Sequence, residues 1–310
     1  MVELTTGLRR EVLPLLGTEA GRAYVSPGAG GDLTFAIDLA AEKYLERFLR
    51  ERAPGIAFYS EDRGLVQSER QSDFVLVVDP IDGTRPALAG LESCCVSVAA
   101  ARIGDGEPVM ADVEIGCIVE IKSGTRFLAK RGEGLRIESE HGVSRAPNLS
   151  DNRDLTSLLW SSGFRGRPAS PVIEVLEELI DISSVGGAFF VLGSATFDMT
   201  RILTAQLDAY LEVGSLMIDE LPALKARFQE VGGGAVLNNS PYDVAAAVLC
   251  LEEGGAVVTD ADGRSLADRP LLGSGHEFQM SCVAAANPDL HSDLIAVVRR
   301  GIDRLLARST

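Results

Sequence analysis

The feature that most restricts this chain is the run Phe74 to Val78, an unbroken apolar, β-prone stretch that ends in Asp79-Pro80-Ile81-Asp82-Gly83-Thr84. Such a run, without polar alternation, is the pattern of a strand covered on both faces, which requires layers above and below it. Strand ends are where α/β proteins often place chemistry. Asp79 and Asp82 lie three apart; proline removes one backbone donor and glycine permits a tight turn, so both carboxylates and the Ile81 carbonyl can converge. Converging hard oxygens suit Mg²⁺, although the same residues also make a good turn.

The flanking sequence predicts the rest of an α/β architecture. Between Leu33 and Arg52, apolar residues at Ile37, Ala41, Tyr44, Leu45 and Phe48 predict an amphipathic helix. Its outer surface is assigned Glu42, Lys43, Glu46 and Arg47, with Asp38 as a cap or first-turn acid. Pro54 and Gly55 end it, and Ile56 to Tyr59 predict a short strand delivering Ser60, Glu61 and Asp62 into a polar loop. Further strands are expected over 95–101, 116–121 and 126–129, the last two joined by a hairpin connection. The texture changes after about Pro147, placing a boundary between domains 1–146 and 147–310. Helices are expected over 171–180 and 194–205, and an extended segment over 207–213. Residues 214–240, with Gly232-Gly233-Gly234, read as a mobile excursion carrying a short amphipathic piece at 221–228. Asp243 to Glu252 predicts a helix with Asp243 as N-cap, closed by Gly254-Gly255. A hairpin from 256–259, with a turn at Asp260 to Gly263, and a strand at 281–286 complete a second sheet.

Several function classes are disfavoured. The net charge of -16, with 25 Arg and 4 Lys in no cluster, argues against a phosphate-backbone partner and predicts no nucleic acid. No apolar run approaches the roughly 20 residues that span a bilayer, and the first ten residues lack a secretory pattern, so no membrane partner is expected. Five cysteines without a C-x-x-C pair point to a reducing cytoplasm; Cys94 and Cys95 should face opposite sides of a strand as small buried hydrophobes. His141, His276 and His291 show no metal spacing and read as loop or surface residues. Gly28-Ala29-Gly30 and Gly232-Gly233-Gly234 fail the dinucleotide fingerprint, and Asp260 to Gly263 fails the calcium loop.

What remains is a set of acids, Asp38, Glu61, Asp62, Asp79, Asp82 and Asp243, that a binuclear magnesium site explains together. At Asp79-Pro80-Ile81-Asp82-Gly83-Thr84 the sequence resembles the inositol monophosphatase family of Mg²⁺-dependent, typically lithium-sensitive sugar phosphatases, which includes archaeal-type fructose-1,6-bisphosphatases. Ser60-Glu61-Asp62, Thr34 to Asp38, Gly193-Ser194-Ala195, Asp208-Ala209-Tyr210 and Tyr242-Asp243-Val244-Ala245-Ala246 look like further family blocks in the family's order.

The resemblance implies a layered sugar-phosphatase fold of alternating helix and sheet layers, with most metal ligands in the first domain and the last aspartate in the second. It implies that Glu61, Asp79 and the Ile81 carbonyl bind one Mg²⁺ and that Asp79, Asp82 and Asp243 bind a second, with two or three ions in all. It also implies that Thr84, oriented by Asp38, helps activate the attacking water, with Glu61 in the catalytic set. Gly83, Thr84, Ser194 and Asp243 are the expected phosphate and substrate contacts; Gly83 and Thr84 would open a short helix whose N–H groups suit a phosphate oxygen. The expected activity is hydrolysis of inositol monophosphate or a related small sugar phosphate. Fructose-1,6-bisphosphate and a nucleotide 3'-phosphate are the alternatives, and a catalytically silent metal- or partner-binding relative is the reading from another class. A homodimer is implied by the resemblance alone. Departures from the family pattern are Arg85-Pro86 after Thr84, Tyr242 in place of tryptophan, and Val236 where many members carry a hydroxyl-binding glutamate. That glutamate is expected to be absent, unnecessary, or shifted to Asp219, Glu220 or Glu230; Arg85 and Arg201 read as surface ion-pair residues more than as contacts for a second phosphate.

Overall fold

The computed structural model describes residues 1–27, 33–68 and 72–309, so the Gly28-Ala29-Gly30 cluster lies outside the described residues. The chain opens with α1 (Val2–Val12), a ribbon of β1 (Tyr24–Pro27) and β2 (Leu33–Phe35), and α2 (Ala36–Arg52). There follow β3 (Ala57–Ser60), β4 (Gly64–Val66), β5 (Phe74–Asp82), α3 (Thr84–Ala89), β6 (Cys95–Arg102), β7 (Val113–Glu120), β8 (Arg126–Lys130), β9 (Gly134–Glu138) and β10 (Ser144–Arg145). The second half runs β11 (Leu159–Ser162), α4 (Ala169–Ile182), β12 (Ala188–Phe190), α5 (Ala195–Ile202), β13 (Ala209–Glu212), α6 (Gly214–Glu220), α7 (Leu224–Val231), α8 (Pro241–Gly254), β14 (Val257–Thr259), β15 (Cys282–Ala285) and α9 (Pro288–Ser309).

Two sheets organise these elements into an α/β sandwich of alternating layers. The larger has the order β10-β9-β8-β7-β6-β5-β3-β4, with only β3 and β5 parallel, and the smaller has the order β12-β11-β13-β15-β14. Helices α1 and α2 cover one face of the large sheet, α5 and α8 fill the space between the sheets, and α4 and α9 cover the far face of the small one. Alternation along β5 shows why its run is continuous: Leu76 and Val78 face the α1/α2 layer, while Val75 and Val77 face the α5/α8 layer. Cys94 and Cys95 divide in the same way, and all five cysteines are buried and free. α8 is sandwiched between sheets, so Val244 to Leu251 are buried all round the helix; each large apolar side chain there contributes about 1.5–3 kcal/mol. No helix among the described residues is long and apolar enough to cross a membrane.

Several expectations are corrected. The helix predicted from Leu33 starts at Ala36, because residues 33–35 pair with β1. β5 does not stop at Val78 but continues to Asp82, and the loop after Asp62 holds a further strand, β4. The excursion 214–240 is largely α6 and α7, held by Met217 and Phe228, which are fully buried under the small sheet. The turn at Asp260 forms, but β14 pairs with the distant β15, so these strands do not make a tight hairpin. His291 is buried on α9 against Thr259, contrary to the surface reading.

Candidate active site

Across β5 and β6, Asp79 pairs with Ser97 and Asp82 with Cys95, so β5 carries one residue more than its partner. That is a β-bulge. In a regular strand, side chains three apart point to opposite faces; the extra residue turns Asp82 back toward Asp79. Pro80 sits where no ladder bond is lost. Gly83 then turns the chain into α3 with φ 92, and a Cβ there would lie 2.6 Å from the Ser93 carbonyl, so the position requires glycine.

Asp79, Asp82 and Asp243 each bring a carboxylate oxygen within 4.8 Å of the others. Each is fixed by its own element. Asp79 Oδ1 accepts the Ile81 N–H at 2.9 Å. Asp82 Oδ2 accepts from Ser194 Oγ at 2.8 Å and from the Thr196 N–H at 2.6 Å, and Ser194 is itself the N-cap of α5. Asp243 is not the N-cap of α8 but its third residue. Ser240 caps the helix, and Asp243 Oδ2 accepts the Ser240 N–H at 2.6 Å. Thr196 Oγ1 donates to the Asp243 carbonyl at 2.6 Å, locking α5 to α8 beneath the cluster. Asp38 repeats the device at the start of α2: Oδ2 accepts the Phe35 N–H at 2.8 Å, and Oδ1 accepts Thr84 Oγ1 at 3.2 Å. Thr84 Oγ1 also lies 3.3 Å from the Ile81 carbonyl. Glu61 borders the cluster from the end of β3, sharing one cavity with Tyr242 and Asp243 and a second with Asp38 and Ile81.

Burial dominates the electrostatics. It pushes Asp79 well above the usual carboxylate range, and the charges of Glu61, Asp82 and Asp243 push further. Burial also raises Asp82, against the bonds from Thr196 and Ser194. Asp243 reaches about 8, from burial and then the Asp82 charge; Asp38 reaches about 7, from burial opposed by the Phe35 N–H. Two buried acids and a half-buried third that resist ionising beside one another, all hard oxygen donors, are the donor set a divalent cation such as Mg²⁺ neutralises.

Other residues are brought here that periodicity and motif placed elsewhere or passed over. Glu42, assigned to the outer surface, is only 2% exposed. It lies one helical turn beyond Asp38, on the face turned to the site, and accepts from Ser60 Oγ at 3.1 Å. Burial raises it to about 7. Opposite the carboxylates, a cavity of about 90 Å³ is lined by Arg165, Arg167, Asn238, Asn239, Asp82 and Asp243, among others. No motif pointed to these arginines or asparagines. Beneath them Glu212, fully buried at the end of β13, forms an ion pair with Arg167. Glu212 was not among the positions considered for a shifted glutamate, Asp219, Glu220 and Glu230, beside its being absent or unnecessary. Those three lie on α6 and α7; Asp219 and Glu220 border a separate cavity and Glu230 is exposed. The block Asp208-Ala209-Tyr210 two residues upstream was the available signal, obscured by the long segment before Asp243. Arg201, read as a surface ion-pair residue, is instead half-buried, paired with Glu120 and stacked on Phe197 at 4.2 Å. Arg85 is half-buried over the Phe35 ring at 4.7 Å. Tyr242 stacks on Tyr59 with ring centroids 6.3 Å apart, so it fills the tryptophan position as a packing residue.

The family model described as "Inositol monophosphatase family" matches residues 7–303. A fructose-1,6-bisphosphatase/inositol-1-monophosphatase of Methanothermobacter thermautotrophicus is 26% identical over 95% of this chain and 93% of its own length. A bifunctional NADP phosphatase/NAD kinase of Methanocaldococcus jannaschii is 25% identical over 93% of this chain, which spans about half of that longer protein, 48%. The extragenic suppressor protein suhB of Bartonella henselae superposes with a TM-score of 0.71 over 97% of both chains; at 21% identity that likeness shows the fold.

Proposed function

Given that the chain belongs to the inositol monophosphatase family and is a phosphoric monoester hydrolase, we propose that it hydrolyses inositol monophosphate or a related small sugar phosphate with Mg²⁺. The observation that carries this reading is the convergence of Asp79, Asp82 and Asp243 beside the Thr84–Asp38 pair. Glu61, Asp79 and the Ile81 carbonyl would hold one ion, and Asp79, Asp82 and Asp243 a second. Bound there, the ions would polarise the phosphoryl group and make a bound water acidic. The protein's own contribution is placement. Asp38 accepts the Thr84 hydroxyl proton's hydrogen bond and so leaves the Thr84 oxygen lone pairs able to accept from an attacking water. Gly83, Thr84 and Ser194 border the position a phosphate takes between α3 and α5, and the Ser194 and Thr196 bonds keep Asp82 aimed into it.

Fructose-1,6-bisphosphate is the second reading, supported by two arginines, Arg165 and Arg167, on the cavity wall and by the dual name of the archaeal relative. A homodimer, free of nucleic acid and membrane, belongs to the same proposal, and a monomer by light scattering removes that part. The test of function is phosphate release from inositol-1-phosphate, fructose-1,6-bisphosphate, histidinol phosphate and 3'-phosphoadenosine 5'-phosphate, each with and without Mg²⁺. Magnesium-dependent turnover favouring a sugar phosphate is the expected result; turnover of none supports the silent metal- or partner-binding relative.

A further inference from the structure

We propose that Glu42 is a positioning residue: by holding Ser60 it fixes the turn that presents Glu61 to the carboxylate cluster, and so sets how tightly the Mg²⁺ ion assigned to Glu61, Asp79 and the Ile81 carbonyl is bound. This rests on the metal-dependent reading of the same site.

Three acids of α2, Asp38, Glu42 and Glu46, follow at four-residue spacing and so lie along one face of the helix. Like charges at that spacing are unfavourable to a helix, so helix formation does not account for them. Each instead meets a partner from another part of the chain. Asp38 Oδ1 accepts from Thr84 Oγ1 at 3.2 Å, Glu42 Oε2 accepts from Ser60 Oγ at 3.1 Å, and Glu46 Oε1 pairs with Arg63 Nε at 2.8 Å.

Two of these partners flank Glu61. β3 and β4 pair with Ser60 opposite Gly64, so Glu61-Asp62-Arg63 is a three-residue connection, and Gly64 follows it at φ 63. Within it, Thr34 Oγ1 donates to Asp62 Oδ1 at 2.8 Å. The turn is thus gripped at Ser60, Asp62 and Arg63, and Glu61 is the member that borders the cluster, where its charge raises Asp79. The parallel register of β3 and β5 sets Ser60 beside Val78, so the residues that follow, Glu61 and Asp79, lie at one level on neighbouring strands.

Of the three grips, the one at Ser60 lies deepest. Glu42 is 2% exposed and Ser60 is fully buried, whereas the Glu46–Arg63 pair is open to water and contributes little. Thr34 holds only the Asp62 side chain. A hydrogen bond to a carboxylate is roughly twice as strong as one between neutral groups, and a buried hydroxyl stripped of its acceptor is costly. The Glu42–Ser60 bond therefore fixes where β3 ends and Glu61 begins. A buried carboxylate is itself expensive, a cost that proteins carry where function needs the group.

The experiment is isothermal titration of Mg²⁺ into the chelator-stripped protein without substrate, with thermal midpoints in chelator as the check on folding. Glu42→Ala and, independently, Ser60→Ala, which deletes only a hydroxyl, are each expected to weaken Mg²⁺ binding by about tenfold or more. Glu42→Gln keeps an acceptor for Ser60 and is expected to stay within about threefold of the unaltered protein. In a Glu61→Ala background, either alanine variant is expected to add less than about twofold, because its effect runs through Glu61; a role confined to packing weakens binding equally in both backgrounds. Unchanged binding in Glu42→Ala or in Ser60→Ala, an equal loss in Glu42→Gln and Glu42→Ala, or an undiminished loss in the Glu61→Ala background each overturns the proposal. No Mg²⁺ binding by the unaltered protein overturns the metal-dependent reading as well. Mg²⁺ bound without phosphate release from any ester counts against the proposed activity alone, a separately visible failure.

Discussion

At the scale of single residues, the carboxylates carry opposed demands. Asp79 and Asp82 are buried and Asp243 half-buried beside them, and their ionised forms repel. Asp79→Asn keeps the Oδ1 that accepts the Ile81 N–H while removing one charge, so the metal-free protein is expected to melt about 2–4 °C higher and to lose Mg²⁺-dependent turnover. Thermal scans in chelator check this; a lower midpoint contradicts the repulsion. Asp82→Asn is expected to cut Mg²⁺-dependent phosphate release by about a hundredfold or more, and unchanged turnover would show that Asp82 is not a metal ligand. The acids themselves were legible in sequence because they stand at strand and helix ends in recognisable order. Glu42 was not, because helical periodicity sorts faces only into apolar and polar, and this acid lies on a polar stripe that the site covers.

At the scale of elements, the least expected feature is the order of residues 214–240. Glycines and polar residues suggested a mobile excursion, but α6 buries Gly214 to Ile218 and α7 buries Phe228. Met217→Ala or Phe228→Ala is therefore expected to cost about 2–5 kcal/mol of stability, measured as a shift in denaturant midpoint. A loss below about 0.5 kcal/mol, the range of ordinary surface substitutions, would show the segment to be loosely held. Helices this short have little intrinsic stability, so their packing rather than their composition decides whether they form. The bulge in β5 belongs to the same scale. The pair Pro80 and Gly83 announced a turn at Asp79-Pro80-Ile81-Asp82-Gly83; only pairing with β6 shows that the strand continues and that one added residue aligns the two aspartates.

At the scale of the whole molecule, the interior sets a pH and metal dependence. Asp38 near 7 and Asp243 near 8 both lie above their ordinary value of 3.8. The folded protein thus binds protons that the unfolded chain has released, and the metal-free protein should lose stability as pH rises from about 4 through about 8. A divalent cation favours the ionised acids, so the rise in thermal midpoint on adding Mg²⁺ is expected to be larger at pH 8 than at pH 6. Midpoints measured at both pH values with and without Mg²⁺ check this, and a larger rise at pH 6 contradicts it. The layered architecture was readable from the covered run of β5, because two buried faces demand layers on both sides.

The sequence by itself determined the alternating helix and sheet layers, the acidic constellation and the family, since each is encoded in local pattern: apolar period, helix capping and short ordered motifs. Tertiary structure alone decided that Glu212 meets Arg167, that Asn238 returns to the pocket, that Glu42 is buried and that Arg201 pairs with Glu120. The physical reason is that an ion pair or a pocket wall joins residues far apart in the chain, and what selects their partners is the low-dielectric space the packed layers enclose.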